Sequence, residues 1–189
     1  MKPNILAFIC TVLVCGSVTV RAQVAPSATR GQFSLTAGAE GSVFQPDYAG
    51  NGFAQTSHRL YGIGTYVDMR FARWVQLEVE GRWLHFNEYY PPTCSGACPG
   101  IDENTYMIGP RIPIHTFGRF TPYGKALFGW GSGTFLMGRS ATMAFGGGAD
   151  YRLTRRISAR ADFEYERWSV NPTTLWPYGV SVGLSYRVF

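Results

Sequence analysis

Charge is scarce in this chain: Asp, Glu, Lys and Arg make up 15% of its 189 residues, against about a quarter in an ordinary soluble domain. An aromatic share of 15% excludes a disordered tail, which combines few aromatics with high charge. Cysteine is sparse too. Of four cysteines, Cys10 and Cys15 fall near the start, leaving Cys94 and Cys98, too few for a small domain held by several disulfides. Long hydrophobic runs are missing as well. Residues 5–20 are mostly apolar but are broken by Thr11, Gly16, Ser17 and Thr19, whereas a spanning helix needs about 20 apolar residues. With Lys2 ahead of this stretch and Val20-Arg21-Ala22 after it, residues 1–22 read as a secretory signal peptide. A membrane anchor is the alternative. Ile9 precedes Cys10 and Val14 precedes Cys15, where a lipoprotein signal needs a small residue, so lipidation is not expected.

A formal charge of +5 and a sequence pI near 9.2 raise the possibility of nucleic acid, but binding it needs clustered basic residues. Here Arg and Lys are scattered among carboxylates, so no nucleic-acid partner is expected.

What the chain does have is alternation with a period of two, the mark of strands with unlike faces. The first case is 33–43, where Phe33, Leu35, Ala37, Ala39, Gly41 and Val43 share one face. Seven more apolar faces follow, over 61–71, 75–83, 106–114, 122–130, 143–153, 157–165 and 178–188. Together they hold 44 positions, none of them charged. The positions between carry Glu40, Asp68, Arg70, Glu78, Glu80, Arg82, Arg111, Lys125, Asp150, Arg152, Arg160, Asp162, Glu164 and Arg187, seven acids and seven bases.

A soluble barrel would turn the apolar face inward, and a membrane barrel turns it toward lipid. Three features favour lipid. The apolar faces end in aromatics, Tyr61, Trp83, Tyr106, Trp130, Tyr165 and Tyr178 at one end and Phe33, Phe71, Tyr151 and Tyr186 at the other, which are the expected interfacial girdles. The gaps between faces alternate long and short, as in an up-and-down barrel with short turns on one side. The charge poverty fits no soluble class as well. The expected fold is therefore all-β, an eight-stranded antiparallel up-and-down transmembrane barrel over 31–189, after a short segment 23–30, with both termini on the periplasmic side. Backbone pairing in lipid requires such closure. Pro110, Pro113 and Pro122 each remove a ladder donor and are expected at strand ends or bulges.

The stretches RFARWVQLEVEGRW, YMIGPRI, FTPYGKALFGWG, AFGGGADYRLTRRISARADFEYERW and the closing VGLSYRVF, in this order, resemble the small outer-membrane β-barrel family of Gram-negative-type bacteria, which includes OmpA-like, OmpX-like and many porin-family barrels. The resemblance implies a bacterial outer-membrane location, contact with outer-membrane lipid and lipopolysaccharide, and insertion by the barrel-assembly machinery. The family's terminal assembly signal ends in an aromatic in phase with the hydrophobic residues before it. Here Phe189 stands one residue out of phase with Val182, Leu184, Tyr186 and Val188.

Eight strands leave a lumen that side chains fill, so the 14 inward charges read as a self-paired network. Gly62, Gly64, Gly146 and Gly148 are inward positions where water could enter. Cys94 and Cys98 read as a loop disulfide, with two free thiols as the alternative. Catalysis has only scattered candidates, Ser57, His58, His85 and His115, with no nucleophile-elbow pattern, and zinc would need partners such as His85, Asp102 and Glu103. No enzyme activity, cofactor or metal is expected. The function expected is structural or surface interaction through long loops at 45–57 and 87–104, where an extracellular ligand would bind; a narrow pore or conduit for small hydrophobic molecules is the second reading.

Overall fold

The computed structural model describes residues 33–48, 59–72, 74–86, 100–134, 136 and 138–188. The expectations for 1–22, 23–30, Ser57, His58, Cys94, Cys98 and Phe189 lie outside the described residues. Among those described, nine strands form and no helix: β1 (Ser34–Gln45), β2 (Leu60–Arg70), β3 (Gln76–Phe86), β4 (Ile101–Pro113), β5 (Phe120–Gly133), β6 (Ser140–Arg152), β7 (Ile157–Val170), β8 (Thr173–Leu175) and β9 (Tyr178–Arg187).

Each long strand pairs antiparallel with its neighbours, and β6–β7 and β9–β1 pairings close the sheet on itself. The barrel has eight staves, β1 to β7 and β9. The three-residue β8 adds only to the end of β7. Following paired residues round the sheet fixes its geometry. From Leu35 the path runs through Met69, Leu77 and Pro110, across to Ala126 in the unchanged register, then through Phe145, Tyr165 and Tyr178 to Gln45. It returns to β1 ten residues from its start. With about 3.3 Å per residue and about 4.8 Å between strands, that stagger tilts the strands by about 40°.

The alternation seen in the sequence becomes two faces. Ile63, Ile112, Val180, Val182 and Leu184 stand exposed outside, while Glu78, Glu164, Arg82 and Arg160 lie buried inside. In water such a surface would aggregate; in a bilayer it is the solvated face. One end of the barrel carries the chain's entry into β1 and exit from β9 with the connections 71–75, 114–119 and 153–156, and is called here the turn end. The other carries 46–59, 87–100, 134–139 and the β7–β9 connection, and is called the loop end. Gly118 takes a φ of 63° in the turn Phe117–Phe120, a conformation that suits glycine and strains a side chain.

The strands run further toward the loop end than the alternation indicated. β4 begins at Ile101, five residues before the expected face, so 101–104 is strand and the connection is 87–100. Gln45 likewise closes β1 and does not open a loop. β5 and β6 extend until only 134–139 separates them. Pro113 and Pro122 lie at or near strand ends, but Pro110 does not. It sits inside β4, where its missing N–H interrupts pairing with β5 between Ile108↔Phe128 and Arg111↔Lys125. The register is the same on both sides, so the cost is a local loss of pairing and not a bulge. At the C-terminal edge the ladder outlasts β9, with the Val188 amide donating to the Leu35 carbonyl at 2.8 Å.

Candidate functional site

The lumen is stratified along the barrel axis. At mid-height, even positions of β2, β3, β6 and β7 and odd positions of β4 and β5 turn charged groups inward, because strand alternation leaves them no other direction. Lys125 Nζ sits among four carboxylates, Glu164 at 2.6 Å, Glu78 at 2.9 Å, Glu80 at 3.0 Å and Asp162 at 3.3 Å. The Arg82 guanidinium donates to Glu80, Glu164 and Glu166, the last at 2.6 Å. Toward the turn end, Arg160 donates to Asp68, to Glu78 at 3.0 Å and to Asp150 at 3.1 Å. Arg111 donates to Gln76 and Asp150.

Aromatic faces complete the packing of these cations. Arg111 stacks 3.5 Å from the Tyr123 ring centre, Arg160 lies 3.7 Å from that of Tyr66, and Arg82 lies 4.1 Å from that of Phe44. A guanidinium over a ring gains cation–π attraction that strengthens when water is excluded.

The buried charges are not balanced. Glu40, Asp68, Glu78, Glu80, Glu103, Asp162, Glu164 and Glu166 are buried against Arg82, Arg111, Lys125 and Arg160, eight acids and four bases among the described residues. Two of these acids, Glu103 and Glu166, lie beyond the sequence-derived faces of β4 and β7. Extending the same alternation past Tyr106 and Tyr165 would have found them. Glu40 is buried with neither oxygen hydrogen-bonded. The missing bases stand at the turn end: Arg70 is half-buried, and Arg152 and Arg187 are exposed, so these three do not join the ion-pair network. With Glu103 and Glu166 added, the inward positions hold nine acids against seven bases among the described residues, so the equal count read from the sequence holds neither for them nor for the buried interior.

The inward glycines are not water-filled gaps. A Cβ at Gly64 would meet a Glu40 oxygen at 2.9 Å, and one at Gly148 would meet an Asp162 oxygen at 2.3 Å. One at Gly62 or Gly146 would meet the backbone of the adjacent strand. Glycine here provides room for a neighbour. Rings use the same device, Tyr66 over Gly38, Trp168 over Gly131 and Phe44 over Gly179.

Above the charges, the loop end of the lumen is apolar. Phe44, Leu60, Leu84, Ile101, Trp168 and Leu175, from β1, β2, β3, β4, β7 and β8, form one buried cluster with Tyr48 just beyond β1, and Phe86 and Val170 pack against it. Its polar edges are tied down. Trp168 Nε1 donates to Glu166 at 2.6 Å, and Tyr48 donates to Glu103. Burial, and then the nearby Glu103 carboxylate, push the Tyr48 phenol above its ordinary range. It therefore stays a donor.

Outside, all ten girdle aromatics, Tyr61, Trp83, Tyr106, Trp130, Tyr165 and Tyr178 at the loop end and Phe33, Phe71, Tyr151 and Tyr186 at the turn end, are exposed. Trp74, Phe117 and Phe120 widen the turn-end belt and Trp176 the loop-end belt. Trp176 stacks on Tyr165 with ring centres 5.6 Å apart, and Trp83 donates to the Tyr106 hydroxyl at 2.9 Å.

Of the catalytic candidates described, His85 and His115 lie at opposite ends. His85 Nδ1 meets the Asp102 carboxylate at the loop rim, while His115 packs edge-on against Phe117 with centres 4.7 Å apart. Glu103, the next residue, faces the lumen and Tyr48, so it cannot join His85 and Asp102 around one metal ion.

A family model described as "Outer membrane protein beta-barrel domain" matches residues 8–187. The chain belongs to this family of bacterial outer-membrane barrels. Its fold is similar to that of Neisserial surface protein A (NspA), with 17% identity, a TM-score of 0.56 and coverage of 82% of this chain and 97% of that one. It is similar also to OprG of Pseudomonas aeruginosa, with 12% identity, a TM-score of 0.53 and coverage of 83% and 96%. Ail of Yersinia pestis in a phospholipid bilayer nanodisc gives 12% identity, a TM-score of 0.51 and coverage of 82% and 99%. No curated protein matches the chain. Identities this low speak for the fold alone.

Proposed function

We propose that this protein is a sealed outer-membrane barrel that presents its longer connections at the cell surface, with a structural or surface-interaction role and no catalytic one. The observation that carries the reading is the apolar cluster from Phe44 to Leu175, which fills the loop end of the lumen above a hydrogen-bonded charge network. Ions crossing the barrel would have to leave water twice, first past side chains already engaged with one another and then past buried hydrocarbon. Both steps are costly. This weighs against the narrow-pore reading.

In this reading the turn end and both chain termini face the periplasm, and 46–59 and 87–100 face outward, where an extracellular ligand would meet them. Lipopolysaccharide contacts the outer girdle, and the barrel-assembly machinery inserts the chain. The charge network serves to fix one barrel geometry, because acids and bases from β2 to β7 satisfy one another only in this register.

Epitope tags test the orientation. A tag placed within 88–98 is expected to bind antibody on intact cells, and a tag between Thr154 and Arg155 only after the outer membrane is permeabilised. The reverse pattern would overturn the assignment.

A further inference from the structure

We propose that the turn-end mouth of the barrel is a binding site for a phosphate-bearing anion. A recess of about 400 Å³ opens there, lined by Arg70, Arg111, Arg119, Arg152 and Arg187 with Asp150 as its only acid. Asp150 is already engaged by Arg111 and Arg160. The recess narrows inward to a space of about 50 Å³ beside Arg70, Arg111, Arg160 and Arg187, where Asp68, held by Arg160, joins Asp150 as a second acid, and it widens outward past Arg119 and Arg155.

The arginines are placed but not paired. Arg70, Arg152 and Arg187 occupy inward positions of β2, β6 and β9, and strand alternation turns them away from lipid and toward the axis. Among the described residues, Arg70, Arg119, Arg155 and Arg187 have no ion pair, and Arg70 Nε is buried without a hydrogen-bond acceptor. The Arg152 guanidinium donates to the Gly118 carbonyl at 3.1 Å and has no ion pair among the described residues. The acids that would have neutralised them lie deeper, held by Arg82, Arg111, Lys125 and Arg160. Like charges gathered at one mouth repel one another, and an anion relieves that repulsion.

Arginine forks match phosphate oxygens two at a time, and hydroxyls of Ser34, Thr36, Ser158 and Ser185 line the narrow part to share the remaining lone pairs. Because the forks converge on the axis, a soluble ligand enters directly. A phospholipid head group offers the same chemistry by reaching over the rim past Arg119 and Arg155. The site does not depend on which side of the membrane the turn end faces, so its failure and that of the surface-presentation reading are separate.

The test uses protein purified from membranes, with inorganic pyrophosphate as the probe and calorimetry at low salt as the readout. Saturable binding is expected, weakened at least about tenfold in Arg70→Gln/Arg152→Gln/Arg187→Gln, as befits the loss of several charge-assisted bonds. Retained heat-modifiable gel mobility shows that the variant is folded. If it does not fold, Arg119→Gln/Arg155→Gln, which changes only the outer part, is expected to weaken binding several-fold. Loop-end Arg59→Gln/Arg139→Gln is expected to leave binding unchanged. Lack of saturable binding, or equal affinity in the turn-end variants, would overturn the site. In nanodiscs, equal affinity with zwitterionic and with phosphatidylglycerol-containing lipid supports a soluble ligand; loss of pyrophosphate binding on adding phosphatidylglycerol at fixed ionic strength supports the head group.

Discussion

Single side chains in this barrel carry unusual energetic weight because the lumen excludes water. Lys125 illustrates it, with one ammonium inside a shell of four carboxylates. Replacing a buried ion-pair partner leaves its counter-charges uncompensated, which costs about 3–5 kcal/mol. Lys125→Met is therefore expected to lower the unfolding free energy by about that amount in a urea titration in detergent, and an unchanged midpoint would show that the network is not stabilising. Gly131 gives a second case at this scale. An added Cβ would lie 2.4 Å from the Trp168 ring, and overpacking of this kind costs about 1–3 kcal/mol. Gly131→Ala is expected to be destabilised by that much alone and by much less in a Trp168→Leu background. Equal penalties in the two backgrounds would exclude the ring as the cause.

At the scale of strands, the two faces obey different rules. Val182 lies near the middle of β9 and points outward, where a charge would be buried in hydrocarbon. Val182→Arg is expected to cost about 2–4 kcal/mol of folding free energy in lipid vesicles, while Ser181→Ala, one residue away but facing the lumen and hydrogen-bonded to Ser42 at 2.8 Å, is expected to cost only about 1 kcal/mol. A reversed order would mean that the faces are inverted. Strand β4 offers the opposite kind of test. Restoring an amide at Pro110 supplies the donor missing from the β4–β5 ladder, so Pro110→Val is expected to gain about 0.5–1.5 kcal/mol, read by the same titration.

Strands were also what the sequence made legible, and the reason is physical. Alternation survives wherever both faces are constrained, by lipid outside and by charge inside, so all eight staves and their phases could be read. Near the loop end the constraint lapses: Phe44, Leu60, Leu84 and Ile101 are apolar and inward, which erases the contrast between faces. This is why the apolar cluster is not legible in the sequence and the expected loops are too long, whereas Glu103 and Glu166 keep the inward phase and only lie past the ends of the expected faces. The ion-pair partners were illegible for another reason. Arg160 meets Asp68 across 92 positions of sequence, and only the closed register brings them together.

At the largest scale, the barrel of the described residues has an apolar cluster at one end of its lumen, a charge network at its centre and an arginine-lined mouth at the other. Its outer surface suits a bilayer, and in the proposed reading the side chains along its axis close the path to ions. The most direct measurement is planar-bilayer recording with protein purified from membranes and verified as inserted by its heat-modifiable mobility. The account predicts a quiet membrane for the wild type, even at high salt and raised voltage. Reproducible single-channel steps that persist from one preparation to the next would contradict it, and would return the interior to the role of a conduit.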